Sequence, residues 1–242
     1  MRKVISLMLI FIILALPSCD NSTPKQQDGG SPEITDYERA KALEAEANAT
    51  LQGANTKIKL VYSDGYTHES STLVLDNGKI SLEKTVDVSQ LSMAFICGTA
   101  YVKTSVAGYE TKRCMSVNES EALLLISELC CRSIKLTTAD FISAVYLSTD
   151  GKERVSCMIA ADGLEDEISR MLNLHPGAIS LDLCEYSFAV SCGKYEEISY
   201  LLRFSLAQSD KPMTVSVRAS FDYSERYTVE LPEDFDEYEN ID

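Results

Sequence analysis

A two-residue alternation over the last third of the chain restricts its fold more than any other feature. Ile198, Tyr200, Leu202, Phe204 and Leu206 lie on one phase; Met213, Val215, Val217, Ala219 and Phe221 follow, then Tyr227, Val229 and Leu231. Between them stand Ser199, Arg203, Ser205, Thr214, Ser216, Arg218, Ser220, Arg226, Thr228 and Glu230, with Leu201 the exception. Successive side chains of a strand point to opposite faces, so this pattern predicts strands with one wet and one apolar face. Such a sheet is antiparallel, because a parallel α/β sheet is covered on both sides. Its apolar face must be covered by something.

The same period begins upstream. Ile58, Leu60 and Tyr62 alternate with Lys57, Lys59 and Ser63, and Ile80 and Leu82 with Lys79, Ser81 and Glu83. Asp76-Asn77-Gly78 lies between those runs, and Asn-Gly supplies the positive φ angles of a tight hairpin turn. Leu91, Met93, Phe95 and Cys97 form one apolar phase, and residues 101–106 and 109–115 pair across Ala107-Gly108. A further hairpin joins 141–149 to 154–160 through Asp150-Gly151, and a phase change between Leu183 and Tyr186 predicts a bulge near Cys184-Glu185.

Three stretches have the helical period instead. Thr35 and Glu38 have capping-box spacing, and 36–52 carries a narrow stripe of Tyr37, Ala40, Leu43, Ala47 and Leu51 before Gly53. Asn118 is a good N-cap for 118–130, which is apolar almost all round at residues 122–126. Residues 164–174 place Leu164, Ile168, Met171 and Leu172 on one side. After Pro232 the chain is acidic and reads as a frayed tail.

The chain has 242 residues, 45% of them hydrophobic, enough for a sizeable core in one domain. Against 22 Lys and Arg stand 37 Asp and Glu, a net charge of −15, which excludes nucleic acid as a partner. With two His and eight scattered Cys, no metal or other cofactor is expected. His68 lies in a polar strand and His175 in a helix-ending turn, where neither is placed as a general base. The sequence has no Gly-x-Ser-x-Gly, phosphate loop or His-Glu-x-x-His, so no catalytic residue is assigned.

Residues 1–18 have the build of a secretory signal: Arg2 and Lys3, then an apolar run from Val4 to Leu16 that is short for a membrane span. Leu16-Pro17-Ser18-Cys19 resembles the lipobox of bacterial lipoproteins. The resemblance implies lipidation of the Cys19 thiol, cleavage before it, and a mature chain held to the membrane on the extracytoplasmic side. Asp20 is similar to the inner-membrane retention signal of Gram-negative lipoproteins. Residues 19–35 are the lipidated Cys and a polar tether, and 36–242 a single domain with an acidic tail. Loss of Arg2 and Lys3 leaves 20 cations against 37 anions, a net −17 that an anionic membrane surface repels.

The order of lipobox, tether, one long helix and an antiparallel meander with short helices resembles the LolA/LolB-like half-barrel lipoproteins, over about Tyr37 to Tyr238. Residues 97–103 (CGTAYVK) are similar to a strand entry, and 227–232 (YTVELP) to a closing strand, common in that group. The resemblance implies an α+β fold in which a long N-terminal helix lies on a strongly curved antiparallel half-barrel with short covering helices. It also implies a concave apolar side that in several relatives holds acyl chains. Met93, Phe95, Leu202, Phe204, Val215 and Val217 are the residues expected there, with 118–130 as a lid. A tight core would use the same six residues, so the filling is either the protein itself or a lipid-binding cavity.

Seven cysteines remain after Cys19. Cys97 and Cys157 fall on the apolar phase of their strands, where a free thiol behaves as a small hydrophobe. Mostly free, buried thiols are therefore expected, and Cys130-Cys131 is the pair most suited to redox chemistry. The leading expectation is a non-enzymatic membrane-anchored binder or carrier of an apolar ligand such as a lipid or acyl chain; the alternative is an envelope sensor or scaffold that binds another protein through the same fold.

Overall fold

The computed structural model describes residues 35–51, 53–65, 68–86, 88–122, 141–159, 164–171, 175, 177–206 and 209–241. Cys19, the tether, residues 123–130 of the expected lid, Cys130-Cys131 and Leu172 lie outside the described residues.

Helix α1 (Asp36–Leu51) opens with the expected capping box: Glu38 N–H donates to Thr35 Oγ1, and Thr35 N–H to Glu38 Oε2, each at 3.3 Å. A meander follows, of β1 (Thr56–Ser63), β2 (His68–Asp76), β3 (Lys79–Val86), β4 (Ser89–Ile96), β5 (Thr99–Val106) and β6 (Tyr109–Ser116). Beyond it come β7 (Phe141–Thr149), β8 (Lys152–Ile159), α2 (Leu164–Met171), β9 (Ile179–Ser191), β10 (Lys194–Leu206), β11 (Ser209–Asp222) and the two-residue β12 (Glu239–Asn240). Asn118 also caps as expected, taking Glu121 N–H on Oδ1 at 2.9 Å while its own N–H donates to Glu121 Oε2 at 2.8 Å.

The twelve strands among the described residues form one sheet, in the order β12-β6-β5-β4-β3-β2-β1-β11-β10-β9-β8-β7. Every pairing is antiparallel except β12 on β6. One long-range pairing, β1 against β11 with Ile58 opposite Phe221 and Tyr62 opposite Val217, joins the two meanders.

This corrects the helix-on-half-barrel expectation. The protein is mostly strand, and the sheet is open rather than closed or curled, with β7 at one end and the β6–β12 pair at the other. Nor is α1 long: sixteen residues span about 24 Å at 1.5 Å each, whereas twelve strands about 4.8 Å apart span roughly 50 Å. It packs mainly on β7 and β10, with Ala40, Leu43, Ala47 and Leu51 buried. The order of elements resembled a half-barrel family, but order does not determine whether a sheet's ends curl toward each other.

Five hairpin turns carry positive φ at both central residues, at Asn77-Gly78, Cys97-Gly98, Ala107-Gly108, Asp150-Gly151 and Cys192-Gly193. This is the primed turn that matches strand twist. Cys97 therefore stands exposed in a turn at φ 51°, not on the apolar face of β4. At Gly193 a Cβ would come within 2.9 Å of the Glu46 carboxylate on α1, so that flexible side chain would have to shift.

The expected bulge falls slightly earlier than Cys184-Glu185. Arg203 pairs with Leu183 and Phe204 with Leu181, which leaves Asp182 as the extra residue. A second irregularity at Glu196 resets the phase between Tyr195 and Ile198, both buried.

The chain after β11 differs most from expectation. Residues 226–232 are not a strand, and the tail is not frayed. Val229 is buried with its N–H on Asp76 Oδ2 at 3.3 Å, and residues 233–241 dock on β5 and β6.

Candidate functional site

The six residues expected to line a ligand site all sit in one buried cluster. Met93 and Phe95 are 3% and 5% exposed, Leu202, Phe204 and Val215 0%, and Val217 4%. Leu202 lies opposite Val215, but Met93 and Phe95 on β4 are separated from β11 by three strands. They share a face without converging on one point. Side chains of β1, β3 and β8–β10 fill the same cluster, with Leu164 and Ile168 of α2 and Ala122. At one end the inward phase turns polar: Lys84 meets Glu69 at 2.9 Å, and Ser71 is buried beside them in register.

A groove of about 350 Å³ does exist along β3 to β6, with Lys84 and Leu91 of the inward phase in its lining. Glu83, Thr85, Gln90, Ser92, Lys103 and Glu110 are among its lining, so it is polar and unrelated to the six apolar residues.

Beneath α1 the apolar face holds a group of titratable side chains. The Tyr186 hydroxyl donates to Glu44 Oε1 at 2.8 Å, and the Tyr195 hydroxyl contacts Asn48 Oδ1 at 3.0 Å and the Glu44 carbonyl at 3.3 Å. Tyr186 stacks on Tyr200 with ring centroids 5.0 Å apart. Burial raises the Glu44 pKa against the opposing effects of Tyr186 and Lys41. Burial and the nearby Glu44 charge push the Cys157 thiol up to about 12, so it stays protonated and unreactive. Cys184 is also a buried thiol, whereas Cys114 is half-buried and Cys97 and Cys192 are exposed, so the expectation of buried thiols holds for only part of the set.

The two ends of the sheet are treated differently. On the meander side, Lys112 pairs with Asp234 at 2.6 Å and with Glu237, and Lys103 meets Asp234 at 3.7 Å. Tyr101 and Tyr238 meet edge-to-face at 5.5 Å. Glu239-Asn240 then pairs with Arg113-Cys114, and Ile241 N–H donates to the Cys114 carbonyl at 3.1 Å. The C-terminal chain is thus a strap held by ion pairs over one edge.

The other edge is β7, whose nine residues FISAVYLST contain no charge and no Pro. Tyr146 N–H donates to Asp36 Oδ2 of α1 at 3.3 Å. On the same strand the Tyr146 hydroxyl donates to Glu153 at 2.6 Å, and Arg39 pairs with Glu153 at 2.7 Å, tying the helix start to the edge. Val145 and Leu147 are 53% and 61% exposed on the face away from the core, opposite Ser156 and Arg154 of β8. The uncharged run was visible in the sequence. Its place at a sheet end was not.

Among the described residues no group of His, Cys, Asp and Glu is placed to hold a metal ion, and no helix is long and apolar enough to cross a membrane. His68 and His175 are both exposed.

No protein-family model matches the chain, and no curated protein does. Among solved structures, Rv2717c from M. tuberculosis is 8% identical with a TM-score of 0.25, covering 78% of this chain and 99% of that one. MucB in complex with MucA(peri) is 10% identical at a TM-score of 0.17, covering 80% and 96%. A fusion DH domain is 13% identical at a TM-score of 0.15, covering 76% of each. Scores this low do not establish a shared fold, and no residue role is carried over from these proteins.

Proposed function

We propose that this chain is a non-enzymatic lipoprotein, anchored through Cys19 on the extracytoplasmic side of a cell membrane, that binds another protein rather than carrying a lipid. The observation that carries the choice is the burial of Met93, Phe95, Leu202, Phe204, Val215 and Val217, none more than 5% exposed. A carrier leaves its lining accessible for the acyl chain, whereas these side chains are occupied by one another and by their neighbours. The lipobox at Leu16-Pro17-Ser18-Cys19 supports the anchor.

Native mass spectrometry of the exported chain carrying Cys19→Ser tests the choice. The protein is expected at its bare mass and to take up no oleate. Co-purified lipid, or uptake of oleate to a fixed stoichiometry, would restore the carrier reading. Incorporation of an alkyne-tagged palmitate into the unmodified protein, absent from Cys19→Ser, tests the anchor separately.

A further inference from the structure

Sheet ends are ordinarily blunted by charge, Pro, a short strand or a covering segment. The β6 end follows this rule, with Glu110, Lys112 and Arg113 in the strand and β12 and the strap over it. Among the described residues β7 is met by α1, which packs on it and sets the Asp36 carboxylate on Tyr146 N–H. That N–H points away from β8, and in an antiparallel ladder alternate residues share a direction, so Ala144 and Ser148 turn their N–H and C=O outward as well. Beside this row of backbone groups run the exposed side chains of Val145 and Leu147. A backbone ladder flanked by alternating apolar contacts is what an added strand requires.

We propose that the β7 edge receives an extended segment of a partner protein in which apolar and basic residues alternate. The site deepens the protein-binding reading and rests on it. Apolar residues of the incoming strand cover Val145 and Leu147 on the outer face. Its basic residues fall on the other face, toward Asp36, which gives up Tyr146 N–H to the new strand and is left a carboxylate in need of a cation. Charge complementarity selects this occupant: Glu38 shares the first turn of α1 with Asp36, Asp150 ends the strand, and the chain carries net −15. A second copy is the wrong partner, because pairing β7 with itself would bring two Asp36 carboxylates and two strongly acidic chains together.

The test uses the exported chain carrying Cys19→Ser with fluorescein-labelled peptides KVKVKVK, EVEVEVE and KTKTKTK, read by anisotropy at physiological ionic strength. KVKVKVK is expected to saturate, with the other two at least about tenfold weaker. Leu147→Thr, an exposed change that leaves the core intact, is expected to weaken KVKVKVK by about tenfold, and Ala144→Pro, which removes an outward N–H, to abolish binding. Equal binding of KVKVKVK to the parent and to Leu147→Thr would mean that it adheres by charge alone, and would overturn the site. So would equal binding of EVEVEVE, or a dimer in sedimentation that Leu147→Thr dissolves. Lipid in the mass spectrum would overturn the protein-binding reading, whereas indifference to Leu147→Thr overturns only the edge.

Discussion

Asn55 and Tyr227 exchange two hydrogen bonds, although 172 residues separate them. Asn55 Nδ2 donates to the Tyr227 carbonyl and Tyr227 N–H donates to Asn55 Oδ1, both at 2.7 Å. The side-chain amide thus does for residue 227 what a neighbouring strand would do. The same Nδ2 also donates to Asp76 Oδ1 at 3.0 Å, and Asp76 Oδ2 takes the Val229 N–H. Two side chains hold a segment whose alternation reads as a strand. Asn55→Ala removes both bonds to Tyr227 and is expected to cost about 2–3 kcal/mol, at roughly 1 kcal/mol per bond plus a backbone group left unpaired. Asn55→Asp keeps the acceptor but loses the donors and sets a second carboxylate beside Asp76, so it is expected to be no milder at pH 7. Urea unfolding of the two variants checks both statements.

Acid should loosen this segment. Hydrogen bonds from the Ser224 and Tyr227 side chains and the Ser224 N–H hold Asp222 down at about 2, and the Val229 N–H, Asn55 and Asn77 lower Asp76. A carboxylate whose folded pKa lies below its unfolded value, near 3.9, stabilises the fold above that unfolded value and stops doing so as pH falls through the folded one. The contribution of Asp222 is therefore expected to be whole above about pH 4 and lost between roughly 4 and 2. Amide chemical shifts of Ser224, Tyr227 and Val229 followed from pH 6 to 2 should move in that window, while those of Leu202 and Val215 stay fixed.

Glu44 has the opposite sign. Burial raises its pKa, so protonation is favoured in the folded state, and stability is lost as pH rises from the unfolded value through the folded one. Glu44→Gln keeps an acceptor for the Tyr186 hydroxyl and removes the charge. It is expected to raise Tm at pH 7.5, with the gain shrinking toward pH 4, as thermal unfolding at the two pH values would register. A loss of stability at pH 7.5 would mean that Lys41 and Tyr186 compensate the carboxylate fully.

The features legible in the sequence are the short-range ones. Thr35 with Glu38 and Asn118 with Glu121 close their capping boxes because three residues of spacing suffice. Asn77-Gly78 and Ala107-Gly108 turn because backbone sterics act within two residues. Cys97 shows the limit of alternation: it continues the phase of Met93 and Phe95, yet the following Gly98 makes it a turn residue. The β1–β11 pairing, the open sheet and the Asn55 clamp depend on contacts between distant residues, which no local pattern encodes. The acidic tail looks solvated by composition because its partners, Lys103 and Lys112, lie more than a hundred residues away. The six apolar residues expected to line a ligand site are buried in one cluster, but a filled core and a cavity use the same alphabet.

The strap should come off without unfolding the sheet. Lys112 is its main cation, pairing with Asp234 and Glu237, and the first-named pair lowers the Asp234 pKa. Exposed ion pairs contribute little to global stability, so Lys112→Ala is expected to leave the urea midpoint nearly unchanged. Cleavage within 233–241 by an acid-specific endoprotease should nevertheless become faster, because the strap then rests on the longer Lys103–Asp234 contact, Tyr101–Tyr238 and the short β12 pairing with Ile241 N–H.

Leu202 and Leu147 provide a paired test of which apolar residues serve the core and which the surface. Leu202 is fully buried between Val215 on β11 and Cys184 on β9, so Leu202→Ala is expected to cost about 2–5 kcal/mol through lost transfer energy and a residual cavity. Leu147 is 61% exposed on the edge strand, and Leu147→Thr should stay within about 0.5 kcal/mol of the parent. If denaturant unfolding gave Leu202→Ala a cost as small as that of Leu147→Thr, the face would be loosely filled and open to a ligand. A large cost for Leu202→Ala alone places the sheet's apolar face in the core.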